Sequence, residues 1–352
     1  MFPESFVQRN LAWSRPGELI FDPFAGRGTT ILESLLNNRH AAGCDTNPVA
    51  YCVSKAKCSS PSFENALDRL EELRKSFAQT ETSIPTSLME SPFFDLCFYP
   101  STLQQILFLR ERLQWREDDA DCFLMALTLG CLHGESHRSM RYLSNRMPRT
   151  ISTKPNYSVN WWRRHNCIPP KRDAFAILRG ELDFRFATVP PQGRGTIVQG
   201  DARRASIMFP ELVNSVALVI TSPPYFDVTS FVEDQWLRIW LLGGPHHPMD
   251  SRGGDDRHAS RHKYWEFLTE AWQGIGALLA EQARIVIRIG GSGLALEETS
   301  NKLAESLRVG LNRAVHLVEA SASLLQRRQT QAFRPNSQGI KQEFDLHFVI
   351  AA

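Results

Sequence analysis

Apolar and polar positions along this chain follow two different rhythms. At the start, Glu18-Leu19-Ile20-Phe21-Asp22 is a short apolar run closed by an acid, Gly26-Arg27-Gly28 is a turn, and Ile31, Leu32, Leu35 and Leu36 recur at helical spacing behind Thr29. The pattern predicts a strand, a tight turn and a helix through about Asn37. Ala41-Ala42-Gly43-Cys44-Asp45 then reads as a second short strand ending in a second acid. Strand, glycine turn, helix and strand in that order make half of a doubly wound nucleotide-binding unit.

From about Ser59 to Pro191 the rhythm turns helical. Amphipathic helices are expected over 63–77, 102–115, 119–132 and 173–184, with a proline-bearing connector at 79–99 and a basic irregular stretch before the last helix. The α/β alternation resumes at Gly195. Strands are expected at 196–199, 216–220 and 283–289, helices at 231–242, 264–279 and 297–311, and a closing hairpin from 316–322 and 343–351. The whole predicts a doubly wound, seven-stranded, mostly parallel Rossmann-like α/β sheet with a C-terminal antiparallel hairpin. Residues 1–58 and 192–352 would form that domain, and 59–191 an inserted helical subdomain.

Composition narrows the class. The 352 residues suffice for one large domain or two ordinary ones, and 42% hydrophobic with 22% charged residues is a soluble globular composition. A formal net charge of +2 says little about partners. The seven cysteines are odd in number and show no C-x-x-C spacing, so reduced thiols are expected rather than a disulfide framework or zinc ribbon. The N-terminus lacks the basic and apolar regions of a secretion signal. The longest apolar stretch, Cys122 to Leu132, falls short of the ~18–20 residues of a membrane span. Cytoplasmic residence, without a membrane partner, is therefore expected.

Three local motifs carry candidate chemistry. In Asp22-Pro23-Phe24-Ala25-Gly26-Arg27-Gly28-Thr29-Thr30 the glycines allow a tight turn and close approach of a ligand to the main chain. An acid at the start of such a turn suits an ammonium group better than a pyrophosphate, although a turn without any ligand has the same outline. Asp45 lies 23 residues after Asp22, where a ribose-binding acid is found in nucleotide folds, with Asn47 beside it; it also reads as a helix cap ahead of Pro48. Thr221-Ser222-Pro223-Pro224-Tyr225 follows an apolar strand. Its two prolines stiffen the chain and remove two N–H donors, leaving carbonyls and a hydroxyl able to accept both hydrogens of an amino group. Tyr225 offers a ring for stacking. A plain strand-ending proline turn is the other reading.

Taken together, the first and third motifs resemble the DNA amino-methyltransferases, the N4-cytosine and N6-adenine family, and Gly200-Asp201 upstream of the proline strand fits the same family. The resemblance covers roughly residues 1–58 and 195–351. It implies S-adenosylmethionine as cofactor, with Asp22, Phe24, Gly26, Gly28 and Thr29 cradling it. Asp45 and Asn47 would reach its ribose, and Asp201 or a neighbour its adenine. Ser222, Pro223, Pro224 and Tyr225 would hold the target amine of an extruded base. Serine at the first ledge position leans toward N4 of cytosine, whereas Asp or Asn leans toward N6 of adenine. Two departures stand out. Only Phe2, Pro3 and Glu4 are available for the family's upstream cofactor element, and the insertion before Gly200 is long. No Pro-Cys dipeptide occurs, which disfavours C5-cytosine chemistry through a thiolate.

Residues 136–172 hold nine Arg or Lys and no Asp or Glu. Arg138, Arg141, Arg146, Arg149, Lys154, Arg163 and Arg164, with Trp161 and Trp162 interleaved, are the expected DNA-binding set. The alternative is a solvated basic loop whose aromatics pack inward. Residues 243–262 carry four histidines in no zinc spacing, so no metal is expected; a loop closing over the extruded base is. The sequence thus points to a site-specific DNA methyltransferase acting on N4 of cytosine. N6-adenine methylation is the nearest alternative, followed by RNA amino-group methylation and a catalytically idle DNA-binding fold. Double-stranded DNA is the expected partner, with a cognate restriction endonuclease an optional one.

Overall fold

The computed structural model describes residues 2–147, 154–188, 191, 193, 195–226, 235–248, 260–291, 293–324 and 342–351. The chain forms two compact units: Met1–Cys58 with Pro191–Thr229 and Arg252–Ala352, and Ser59–Pro190 with Ser230–Ser251. The segment 230–251 therefore groups with the helical unit, whereas sequence order had assigned it to the sheet domain.

In the first unit, seven strands form one sheet among the described residues. They are β1 (Leu19–Asp22), β2 (His40–Asp45), β3 (Thr196–Gln199), β4 (Val216–Thr221), β5 (Leu279–Gly290), β6 (Ala314–Leu324) and β7 (Gln342–Ala351), in the order β3-β2-β1-β4-β5-β7-β6. The first five pair in parallel, and β7 runs antiparallel to both β5 and β6. This is the predicted doubly wound sheet with its closing hairpin.

Period-two alternation divides the sheet's side chains between two cores. Phe21, Val219, Ile285 and Ile287 face one core, built with α4 (Arg261–Gly276) and α5 (Leu296–Leu311). Ile20, Leu218, Ile220 and Val286 face the other, covered by Phe6, Val7 and Leu11. Phe6 and Val7 belong to α1 (Glu4–Asn10), a helix the sequence reading did not predict. Each such fully buried apolar side chain contributes about 1.5–3 kcal/mol. Behind β1, α2 (Thr29–Leu36) packs Ile31 and Leu35 on Ala41 and Ile197, and α3 (Pro48–Cys58) follows β2. The helix expected at 264–279 starts earlier, at Arg261, because the Ser260 side chain caps it by accepting from the Lys263 amide; it also stops earlier, and Leu279 already belongs to β5.

The second unit is helical: Phe63–Gln79, Thr86–Met89, Pro92–Cys97, Pro100–Arg112, Asp119–Cys131, Pro155–Arg164, Ala174–Arg185 and Trp236–Leu241. Ser62, Asp118 and Asp173 cap three of these through side-chain oxygens. Its core is aromatic, with Phe93 on Trp162 and Trp236, and Phe94 on Trp240 at a centroid distance of 4.7 Å. Two short helices occupy the expected connector at 79–99. Of the helix expected at 231–242, residues 231–234 lie outside the described residues. All seven cysteines are free thiols. Among the described residues no helix is long and apolar enough to cross a membrane, and no cluster of His, Cys, Asp or Glu has the makings of a metal site.

Candidate active site

The direction of winding reverses between β1 and β4. From β1 the chain proceeds through β2 and β3 to one side, and from β4 through β5 to the other. In open α/β sheets the crevice outside the carboxyl ends of strands at such a reversal is the ligand-binding place. Both leading motifs emerge there. Asp22 is the last residue of β1 and Thr221 the last of β4, and the Thr221 hydroxyl donates to Oδ1 of Asp22 at 2.6 Å.

Asp22 is only 1% exposed. Oδ1 also accepts from the Phe24 amide at 3.1 Å, while Oδ2 is buried with no hydrogen-bond partner among the described residues. Burial pushes its carboxyl up to about 6, against the opposing pull of these hydrogen bonds. The turn that follows is tightly built. Gly26 and Gly28 both have left-handed backbones, with φ of 53° and 68°. Beside Gly28 a Cβ would come 2.7 Å from the Ser54 hydroxyl, which itself donates to the Gly26 carbonyl. Lys57 reaches the Arg27 carbonyl, so two side chains of α3 hold the turn from behind. A Cβ on Gly26 would meet no heavy atom closer than 3.8 Å, so that side of the turn is open. Thr29 opens α2, and Phe24 is half-buried against Phe267 and Trp272.

Asp45 accepts from the Gly26 amide through Oδ2 and from the Asn47 amide through Oδ1, each at 2.9 Å. It braces the turn from the neighbouring strand. The helix cap contemplated for it is supplied by Asn47, whose Oδ1 accepts from the Val49 amide at 2.8 Å. Asp201 follows β3, caps the next turn by accepting from the Arg203 amide, and pairs with the Arg203 guanidinium at 2.7 Å.

Ser222, Pro223, Pro224 and Tyr225 continue from β4. Phe226 then bridges in parallel to Gly291 beyond β5, so the ledge is anchored at both ends. The Pro224 carbonyl accepts from the hydroxyl of buried Tyr264 at 2.8 Å. The Tyr225 hydroxyl donates to Glu343 at 2.8 Å, and burial, reinforced by the Glu343 charge, raises its pKa. Ser54, Tyr264 and Glu343 were missed in the sequence, because they act from helices or strands away from the motifs; Thr221 opens the recognised motif, but its bond to Asp22 was not anticipated. Burial likewise raises the pKa of Cys44, the cysteine against Pro23, which leaves it poorly suited as a nucleophile.

The basic stretch proves heterogeneous. Arg163 and Arg164 are exposed on the helix Pro155–Arg164, and Lys154 is exposed at its N-cap. Trp161 stacks on His165 at 4.2 Å, with the Arg146 guanidinium over its ring. Arg138 pairs with Glu135, and Arg141 with Glu181. Trp162 corrects an expectation: it is fully buried and donates to the Arg146 carbonyl, so it is a core side chain and presents no face to a base. The helix itself was read as irregular. Arg149 lies outside the described residues, as do Arg252, Arg257 and His258 of the expected closing loop.

Residues 1–55 match the family model described as DNA methylase. The chain is 25% identical to the Type II methyltransferase M.MvaI of Kocuria varians over 241 residues, covering 63% of this chain and 50% of that protein. It is 42% identical to the orphan methyltransferase M.BamHII of Bacillus amyloliquefaciens over 53 residues, 15% of this chain and 20% of that protein. The chain thus spans half or less of the length of these relatives. A crystal structure of an S-adenosylmethionine-dependent methyltransferase from Methanosarcina mazei overlays at 8% identity, covering 100% of this chain and 98% of that one with a TM-score of 0.38. The matched N-terminal segment contains the turn of Asp22 and the acid Asp45, and over that segment the chain is similar to the DNA methylases, which use S-adenosylmethionine.

Proposed function

We propose that this protein transfers a methyl group from S-adenosylmethionine to the exocyclic N4 amino group of cytosine in double-stranded DNA. The observation that carries the reading is the hydrogen bond from Thr221 to Asp22, which ties the proline ledge to a buried acid with an unpartnered oxygen at the sheet's reversal. An orphaned buried carboxylate oxygen beside an open glycine turn fits a ligand bearing an ammonium group. Asp22, Phe24, Gly26, Gly28 and Thr29 would hold the amino-acid end of the cofactor, Asp45 and Asn47 the ribose, and Asp201 the adenine side. When bound, S-adenosylmethionine supplies an electrophilic methyl on a sulfonium.

The chain's own contribution is positioning and polarisation. Backbone carbonyls of the ledge and the Ser222 hydroxyl accept the amine hydrogens, which draws the nitrogen lone pair out of conjugation with the ring. Tyr225 receives the extruded base on its face and offsets part of the unstacking cost. Serine at the first ledge position favours N4 of cytosine over N6 of adenine. The exposed Lys154, Arg163 and Arg164, with Arg138, Arg141 and Arg146, are proposed to track DNA phosphates, and the half-buried Trp161 to offer a ring beside them. A cytoplasmic location belongs to the same proposal. Similarity to a Type II methyltransferase favours a companion restriction endonuclease.

Tritiated cofactor offered with DNA or RNA, followed by base analysis of the digest, tests the reading. Label in N4-methylcytosine of DNA is expected. Label in N6-methyladenine or in RNA moves the activity to another target, and cofactor binding without transfer leaves an idle DNA-binding fold.

A further inference from the structure

Tyr225 is anchored by a residue 118 positions away. Glu343, near the start of β7, is 8% exposed, and its Oε1 accepts from the Tyr225 hydroxyl at 2.8 Å. Its Oε2 lies 3.8 Å from Nη1 of Arg288 on β5. Arg288, also 8% exposed, donates through Nε and Nη2 to the two oxygens of Asp345 at 2.6 and 2.7 Å. Its guanidinium sits 4.2 Å from the centroid of the Phe6 ring, and Arg9 adds a 3.2 Å contact to Asp345.

Glu343 and Asp345 are two residues apart on one strand, so they share a face. Asp345 is the register partner of Arg288, while Glu343 stands opposite Gly290, which contributes no side chain. The Arg288–Asp345 fork is complete as a bidentate pair without Glu343. A further carboxylate in this partly buried setting costs desolvation, and apolar residues of similar volume would serve the fold as well. Among the described residues, the hydrogen bond its carboxylate makes outside that ladder goes to the tyrosine.

We infer that Glu343 is a positioning residue for the base site: it fixes the long axis of the Tyr225 ring, and Arg288 holds Glu343 in place. This rests on the proposed function, in which Tyr225 receives the extruded base. The phenolic oxygen lies on the axis about which the ring flips. The tether therefore permits rotation about that axis but fixes where the axis points, and so where the ring stands relative to an incoming base. Strand β7 thereby contributes to a site whose recognisable motifs lie on β1 and β4.

The test uses the full chain labelled with 3-fluorotyrosine, the Tyr225 resonance being assigned by its loss in Tyr225→Phe. Glu343→Met keeps length without an acceptor, and Glu343→Gln keeps an amide oxygen. In Glu343→Met the fluorine resonance is expected to shift and kcat on DNA to fall about tenfold, with cofactor Kd within about twofold of the parent. Glu343→Gln should restore the resonance and most of the turnover. The double variant Tyr225→Phe/Glu343→Met should be no slower than the slower single. An unchanged resonance in Glu343→Met, equal impairment by Met and Gln, or additive losses would each overturn the inference. A parent protein that binds cofactor yet methylates no DNA overturns the functional reading, and the positioning role with it; an unchanged resonance in an active enzyme overturns the tether alone.

Discussion

Two buried carboxylates grip the tip of β4 from opposite sides in the strand order, and they are in different chemical states of completion. Asp22 holds Thr221 through one oxygen and leaves the other buried without a hydrogen-bond partner among the described residues. Glu343 holds Tyr225 through one oxygen and has a guanidinium near the other. A buried polar atom left unmatched costs free energy that folding alone gives no reason to retain. The contrast separates a scaffold contact, already satisfied, from the proposed ligand contact, whose partner would arrive from solution.

The sharpest way to break this comparison is Asp22→Ala. Loss of an ammonium partner in a buried site should weaken S-adenosylmethionine about a hundredfold by calorimetry, whereas Ser222→Ala should leave binding within about twofold and lower turnover instead. Equal effects of both variants on binding would erase the distinction. Next comes pH. Cofactor binding that requires ionised Asp22 should weaken by about tenfold per unit as pH falls below about 6, and Asp22→Asn should abolish that slope. A flat profile in the parent would assign the acid a structural role.

A smaller effect concerns stability. The carboxyl is raised from 3.8 to about 6, so as pH climbs between those values the unfolded chain ionises before the folded one. Its contribution turns unfavourable across that window and stays so above it. Asp22→Asn should therefore raise the melting temperature of the cofactor-free protein at pH 8, by on the order of 1–3 kcal/mol of stability, while impairing binding. The mildest test is Thr221→Val. It removes one hydrogen bond that favours the ionised acid, so the midpoint of the pH profile should move upward and affinity at pH 6 should drop several-fold.

The glycine turn and the proline ledge were legible because each is local: backbone freedom at Gly26 and Gly28 and stiffness at Pro223-Pro224 are written in adjacent letters. The parallel pairing of β1 to β5 follows from the alternation of strands and helices. Glu343 was not legible, because its meaning depends on antiparallel register across β5. Glu343-Phe344-Asp345 announces a polar face with an apolar one behind it, but names no partner. Trp161 and Trp162 teach a related lesson. Within the helix Pro155–Arg164, buried Ser158, Val159 and Trp162 recur at helical spacing and place the second tryptophan inside. The density of arginines masked that period.

The pairing of β7 with β5 also constrains how the C-terminal half can drift. Because neighbouring side chains point to opposite faces, deleting a single residue from the start of β7 would exchange Glu343 and Asp345 for Phe344 and Leu346. Arg288 would then confront hydrocarbon and the tyrosine would lose its anchor together. The odd-or-even count within the strand is locked to the chemistry at the other side of the sheet.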